Sequence, residues 1–217
     1  DGPASVRQNR WEAPSGGLAG RHGARVVSVR ARGYGNALMG GIEAARGRYI
    51  IMGDADDSYD FSRLMDFVEQ LRAGYDVVLG SRFRGGIEAG AMPALHQYFG
   101  NPVLTLACVA LFGCRTSDVY CGMRGFTREA YQRMRLSATG MEFAVEMVIK
   151  GKLLDMRYTE IPTVLKRDGR SYPPHLRSWR DGWRTLRFML VLNSHRLRSW
   201  RERGPDAPFL QRRILPD

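Results

Sequence analysis

Arg48-Tyr49-Ile50-Ile51-Met52-Gly53-Asp54-Ala55-Asp56-Asp57-Ser58-Tyr59-Asp60 is the stretch from which the fold can be read. Tyr49 to Met52 form a short apolar run suited to a strand buried on both faces, and it stops at a glycine followed by four acids within seven positions. In open α/β sheets ligands gather beyond the carboxyl ends of strands, so acids placed here point toward a crevice. Asp54 and Asp56 flank a small residue, and carboxylates that close repel unless a proton or a cation lies between them. The plainer alternative is a solvated turn in which Ser58 or Asp60 caps the next helix. An EF-hand loop is excluded, because counting from Asp54 the sixth residue is Tyr59 and the twelfth is Met65.

Outward from this stretch the chain alternates. Ala24 to Val29 is expected to be a strand, followed by a glycine turn at Gly33-Tyr34-Gly35 and a helix from about Asn36 to Ala45. After the acidic stretch come a helix from Ser62 to Arg72 and a strand from Asp76 to Leu79 that ends in Gly80-Ser81-Arg82. Strand, helix, strand, helix, strand predicts an α/β domain built on a mostly parallel sheet with right-handed crossovers. The glycine turn is no dinucleotide fingerprint, since Leu38 stands where the third glycine belongs, and no P-loop, since Gly-Lys-Ser/Thr is lacking. Its amides are nonetheless placed to approach an anion, and Gly33 and Gly35 are candidates to line a diphosphate.

Pro102 to Phe112 reads as the core of an uncharged helix, buried or interfacial. Thr116 to Phe126 is a loop and short strand that brings together Asp118, two glycines and Arg124. Met141 to Met147 opens a helix on which Glu142 and Glu146 share a face. Met156 to Val164, broken by Pro162, is an expected edge strand. Ser178 to Leu197 sets Trp179, Trp183, Leu186, Leu190 and Leu197 on one side and Arg180, Arg184 and Arg187 toward the other. That pattern is a basic amphipathic helix fit for its own domain or for an anionic bilayer.

Composition narrows the classes. The 217 residues, 44% of them hydrophobic, suffice for one α/β core. The net charge of +11 is almost wholly arginine, with Lys150, Lys152 and Lys166 the only lysines, and it favours phosphate-bearing partners. Cys108, Cys114 and Cys121 are too few and too irregular for a disulfide framework or zinc knuckle, which suggests a reducing compartment. No run reaches the ~18 apolar residues of a membrane span, and no signal peptide is evident.

The set Arg32-Gly33-Tyr34-Gly35, Met52-Gly53-Asp54-Ala55-Asp56-Asp57, Gly80-Ser81-Arg82-Phe83, Asp118 with Cys121-Gly122-Met123-Arg124, and Met141-Glu142-Phe143 resembles family-2 glycosyltransferases of the GT-A fold. It looks most like relatives of dolichyl-phosphate mannose or glucose synthases, over about His22 to Leu192. The resemblance implies a Rossmann-like sheet flanked by helices, and inverting hexose transfer from a nucleotide sugar to a polyprenyl or dolichyl phosphate at the cytoplasmic face of a membrane. Asp54 and Asp56 would hold Mg²⁺ or Mn²⁺, with Gly33, Gly35, Ala55 and Arg124 also on the donor. Asp56, Asp118 and Glu142 would serve the reacting centre. Ser81, Arg82, Arg84, Gln97, Asn101, Lys166, Arg170 and Ser171 would meet the acceptor, whose lipid would follow the uncharged helix.

The pattern also departs from the family. Relatives open with a strand ending Pro-x-x-Asn-Glu and a second ending Asp-Asp/Asn-Gly-Ser, whereas here Asp1-Gly2 resembles only a stump of the second. The expectation is therefore an irregular lead-in over 1–20, an incomplete GT-A core over 21–170 lacking its first strands and base pocket, a membrane-proximal helix over 171–200 and a basic, Pro-containing tail over 201–217. Gln97 replaces a frequent arginine. The competing readings are an inactive, truncated transferase and an arginine-driven nucleic-acid binder. The acidic centre argues against the latter.

Overall fold

The computed structural model describes residues 20–21, 23–54, 56–169 and 178–203. Most of the expected lead-in and tail, together with Ala55, Arg170 and Ser171, lie outside the described residues. In chain order the elements are α1 (Tyr34–Ala44), β1 (Tyr49–Met52), α2 (Leu64–Arg72), β2 (Val77–Ser81), the single turn α3 (Arg82–Gly85), α4 (Asn101–Phe112), β3 (Arg124–Thr127), α5 (Arg128–Met134), α6 (Glu142–Leu153), β4 (Tyr158–Pro162) and α7 (Ser178–Arg203).

The sheet order is β1-β3-β2-β4. β2 and β4 pair in parallel, but β3 pairs antiparallel with both β1 and β2. β1, β2 and β4 do run the same way, yet β3 is wedged between them in the opposite sense, so the sheet is mixed. β4 lies at an edge, as its proline suggests.

Ala24–Val29 departs from its expected strand, because those residues form no ladder. They run without a ladder partner, with Val26 and Val27 exposed and a Val29 methyl resting where a Cβ on Gly40 of α1 would clash. Strand-forming side chains do not make a strand without a neighbouring backbone to bond.

The core divides on the two faces of the sheet. Ile50, Met52, Val77, Leu79 and Phe126 meet α6 and α7 on one face. Val78 and Met123 meet Phe67 and Leu71 of α2 on the other. All five residues of β2 are buried, the signature of a strand covered on both sides. Gly125 in β3 admits α2, since a Cβ there would stand 3.3 Å from both Phe67 and Leu71.

α7 buries Thr185, Phe188, Met189 and Leu192, a stripe at helical spacing, in the same core. The packed stripe is therefore not the Trp-lined side that the sequence suggests. Trp179 and Trp183 face solvent at 76% and 66% exposure and Leu190 is half exposed, while Leu186 leans on the core. No described helix is long and apolar enough to cross a membrane.

Candidate active site

β1 delivers its acids where the sheet ends. The phenol of Tyr34, at the start of α1, donates to Oδ1 of Asp54 at 3.2 Å. The backbone N–H and hydroxyl of Ser58 both donate to Oδ1 of Asp56, and Asp57 between them adopts the left-handed region at φ 62°. The segment after β4 returns beneath this loop, where the Gly169 amide donates to the Asp56 carbonyl at 2.8 Å and the Lys166 amide to that of Ser58 at 2.9 Å.

Burial first, and then the negative charge of Asp56, holds the Asp54 carboxyl above its ordinary range, against the Tyr34 hydrogen bond and the positive charges of Arg82 and Arg124. Such a pair is relieved by a proton or by a hard cation. Among the described residues no group of three or more His, Cys, Asp or Glu side chains is placed to hold a metal. One or two carboxylates are what an ion such as Mg²⁺ or Mn²⁺ commonly takes from a protein, with phosphates and water completing its shell.

Three further acids, Asp118, Glu142 and Glu146, are paired with cations inside the fold. Asp118, with a fully buried side chain, takes Nε of Arg82 at 2.6 Å and an Nη of Arg82 at 2.7 Å, and also its backbone N–H. Arg82, expected at the acceptor phosphate, is therefore itself buried and directed at Asp118. Asp118, expected at the reacting centre, serves as its counter-ion. Glu142, the other expected catalytic acid, is buried and bonded to Arg184 of α7 at 2.8 Å. Glu146 forms a fully buried pair with Lys150 at 2.7 Å while also accepting from the amides of Ser137 and Ala138.

Arg124 needs a further correction. It is 1% exposed, and its guanidinium donates to the carbonyls of Cys121, Val119 and Ala144. Buried this way it braces the 119–121 loop against α6, and it bears on the site only through its charge. The turn at Gly33 and Gly35 packs against the 138–139 backbone. The Gly35 amide donates to the Thr139 carbonyl at 2.9 Å, with Asn36 beside it, and a Cβ on Gly35 would lie 2.0 Å from the Ala138 oxygen. These glycines let two backbone segments touch.

On the acceptor side, Ser81 caps α3 by accepting from the Arg84 amide and meets the Ser117 hydroxyl at 2.7 Å. Arg84 is half exposed and sits 3.9 Å from Glu160. Lys166 is similarly exposed, 3.7 Å from Asp60. Gln97 lies on a π-helical turn, His96–Gly100, that runs into α4, and Asn101 donates to the Met92 sulfur at 3.3 Å.

Sequence reasoning missed Tyr34, Tyr59, Gly122 and Glu160. The first three stand inside the quoted motifs, and Tyr59 accepts from the Gly122 amide at 3.0 Å. Glu160, which receives Thr116 and Ser117, carries no local signal.

A family model described as glycosyl transferase family 2 matches residues 16–135. A low-salt glycan biosynthesis hexosyltransferase of Haloferax volcanii is 43% identical over 176 residues, covering 80% of this chain and 42% of the relative. A dolichyl-phosphate hexose transferase of the same organism is 30% identical, over 67% of this chain and 62% of the relative. The chain thus spans about two fifths of the first relative's length and about three fifths of the second's. Among solved structures, glucosyl-3-phosphoglycerate synthase from Mycobacterium tuberculosis in complex with Mn²⁺, uridine-diphosphate and glucosyl-3-phosphoglycerate superposes with a TM-score of 0.57 at 21% identity, covering 81% of this chain and 62% of that one. At that identity the likeness speaks for the fold alone.

Proposed function

Because this chain belongs to glycosyl transferase family 2, we propose that it transfers a hexose from a nucleotide sugar to a polyprenyl or dolichyl phosphate, with inversion and with a divalent cation. The observation that carries the reading is the Asp54–Asp56 pair at the carboxyl end of β1, with the Asp54 carboxyl raised by burial and by its neighbour. A cation bound there offsets the charge that grows on the departing diphosphate.

An acceptor phosphate is already anionic at neutral pH. Its oxygen forms the new bond to the anomeric carbon while the bond to the diphosphate breaks, and the nucleoside diphosphate leaves with that electron pair. The step needs no strong base, which agrees with Glu142 being engaged by Arg184. Of the cations expected to meet the acceptor phosphate, Arg84 and Lys166 are the described ones that stay partly exposed. Arg82 supports them by holding Asp118 and the start of α3.

Leu95, Tyr98, Phe99, Val103 and Leu106, before and along the π-turn and α4, are exposed, as are Trp179 and Trp183 of α7, which packs against α4, so both elements carry apolar surface. That surface supports work at an anionic membrane face, and three free thiols agree with the cytoplasmic side.

A second reading is an inactive fragment. It is favoured by β1 being the outer strand among the described residues, with one edge unpaired. Thermal melts with UDP-glucose or GDP-mannose, with and without Mn²⁺, decide. A metal-dependent rise in Tm with either donor, lost in Asp54→Asn and in Asp56→Asn, is the expected result. No rise with either donor in the presence of Mn²⁺ overturns the enzyme reading and leaves the fragment.

A further inference from the structure

Resting on the cation reading above, we propose that Tyr34 and Gly122 form a frame that fixes the Asp54 carboxylate in the orientation that receives the metal. Tyr34 holds one oxygen, its phenol donating to Oδ1 at 3.2 Å. Gly122 makes room for the other. A Cβ built on Gly122 would fall 2.2 Å from Oδ2 of Asp54 and 3.0 Å from its Cγ, so the carboxylate occupies the volume that any side chain at position 122 would fill.

Gly122 is held in turn, because its amide donates to the buried Tyr59 hydroxyl at 3.0 Å. The two sides of the frame come from distant parts of the chain. Tyr34 opens α1, and Gly122 precedes β3, the neighbour of β1. Rotation of the carboxylate away from Oδ1 breaks a hydrogen bond, and rotation of Oδ2 is limited by the backbone behind it.

Gly122 has no left-handed φ, so its lack of a side chain answers to the space around Asp54 and not to backbone strain. Tyr34 is a neutral donor, so it orients Asp54 without offsetting the negative charge a cation requires. Groups that orient a ligand from behind typically alter metal affinity ~10–100-fold.

The test is the electron paramagnetic resonance signal of free Mn²⁺, titrated with protein in the presence of UDP, alongside Tm without metal. Tyr34→Phe, which removes only the hydroxyl, is expected to weaken Mn²⁺ binding roughly tenfold with little change in Tm. Gly122→Ala, which pushes the carboxylate out of place, is expected to weaken it further and to alter the bound-Mn²⁺ spectrum. Wild-type affinity and spectrum in both variants overturn the frame. So does a loss of binding that only follows a fall in Tm, because that is a structural effect. If the wild type binds no Mn²⁺, the cation reading itself fails and the frame falls with it, an outcome distinct from variants that match a wild type that binds.

Discussion

Asp54 and Asp118 are both acids near the carboxyl ends of strands, yet the fold treats them in opposite ways. Asp118 is sealed from solvent and receives two guanidinium nitrogens and a backbone amide from Arg82. Glu142 and Glu146 repeat that solution with Arg184 and Lys150. Asp54 receives a phenol, and it lies close enough to Asp56 to be raised by it. Acids that join loops to helices are given their cation by the chain. Asp54, which the proposal above assigns to an exchangeable cation, is instead steadied by a neutral donor and raised by burial and by the charge of Asp56.

The sharpest way to break this contrast is Arg82→Ala. It leaves the Asp118 side chain buried with no cation beside it, and the unfolding free energy in urea should fall by about 3–5 kcal/mol. Replacing both residues with apolar ones of similar size should recover most of that loss, and a double variant as unstable as Arg82→Ala would show that charge pairing is not the cause. Lys150→Met should cost less, about 2 kcal/mol, because Glu146 keeps its hydrogen bonds from Ser137 and Ala138. A loss equal to that of Arg82→Ala would show that those neutral donors contribute nothing.

Asp54→Asn is the smallest change and the one of opposite sign. With the folded carboxyl raised, the wild type is favoured while that group is protonated, and it loses this advantage as pH rises through the folded value. Asparagine never ionises. In metal-free buffer the variant should therefore match the wild type in acid and become more stable than it as pH climbs past the carboxylate range. A variant less stable than the wild type at neutral pH would mean that Asp54 is attracted, not repelled, by its surroundings.

The elements were legible wherever one short segment carried its own periodicity. β1, β2, α2 and α6 lie close to where apolar spacing puts them, and the acids at the tip of β1 follow from the abrupt end of an apolar run. Strand direction was not legible, because nothing local in Arg124–Thr127 states that it enters between β1 and β2 in reverse. Ala24–Val29 has the side chains of a strand and lacks the neighbour that would make it one.

The site shows the same division. Asp54 and Asp56 announce themselves together, but the partner of Arg82 lies 36 residues away, and Arg124 satisfies itself on main-chain carbonyls that no motif reveals. Gly33 and Gly35 mislead for a physical reason. A missing Cβ serves an approaching phosphate and an approaching peptide equally well, and here the visitor is the Thr139 carbonyl.

Leu165 ties the loops on both sides of the site. Its amide donates to the Gly86 carbonyl and its own carbonyl accepts from Glu88, it bridges to Tyr59, and the next amide, of Lys166, donates to Ser58. Opening the chain at this one residue releases the acidic turn and the stretch after α3 simultaneously. The amide protons of Glu88, Leu165 and Lys166 are accordingly expected to exchange with solvent together, as one unit spanning both sides of the crevice.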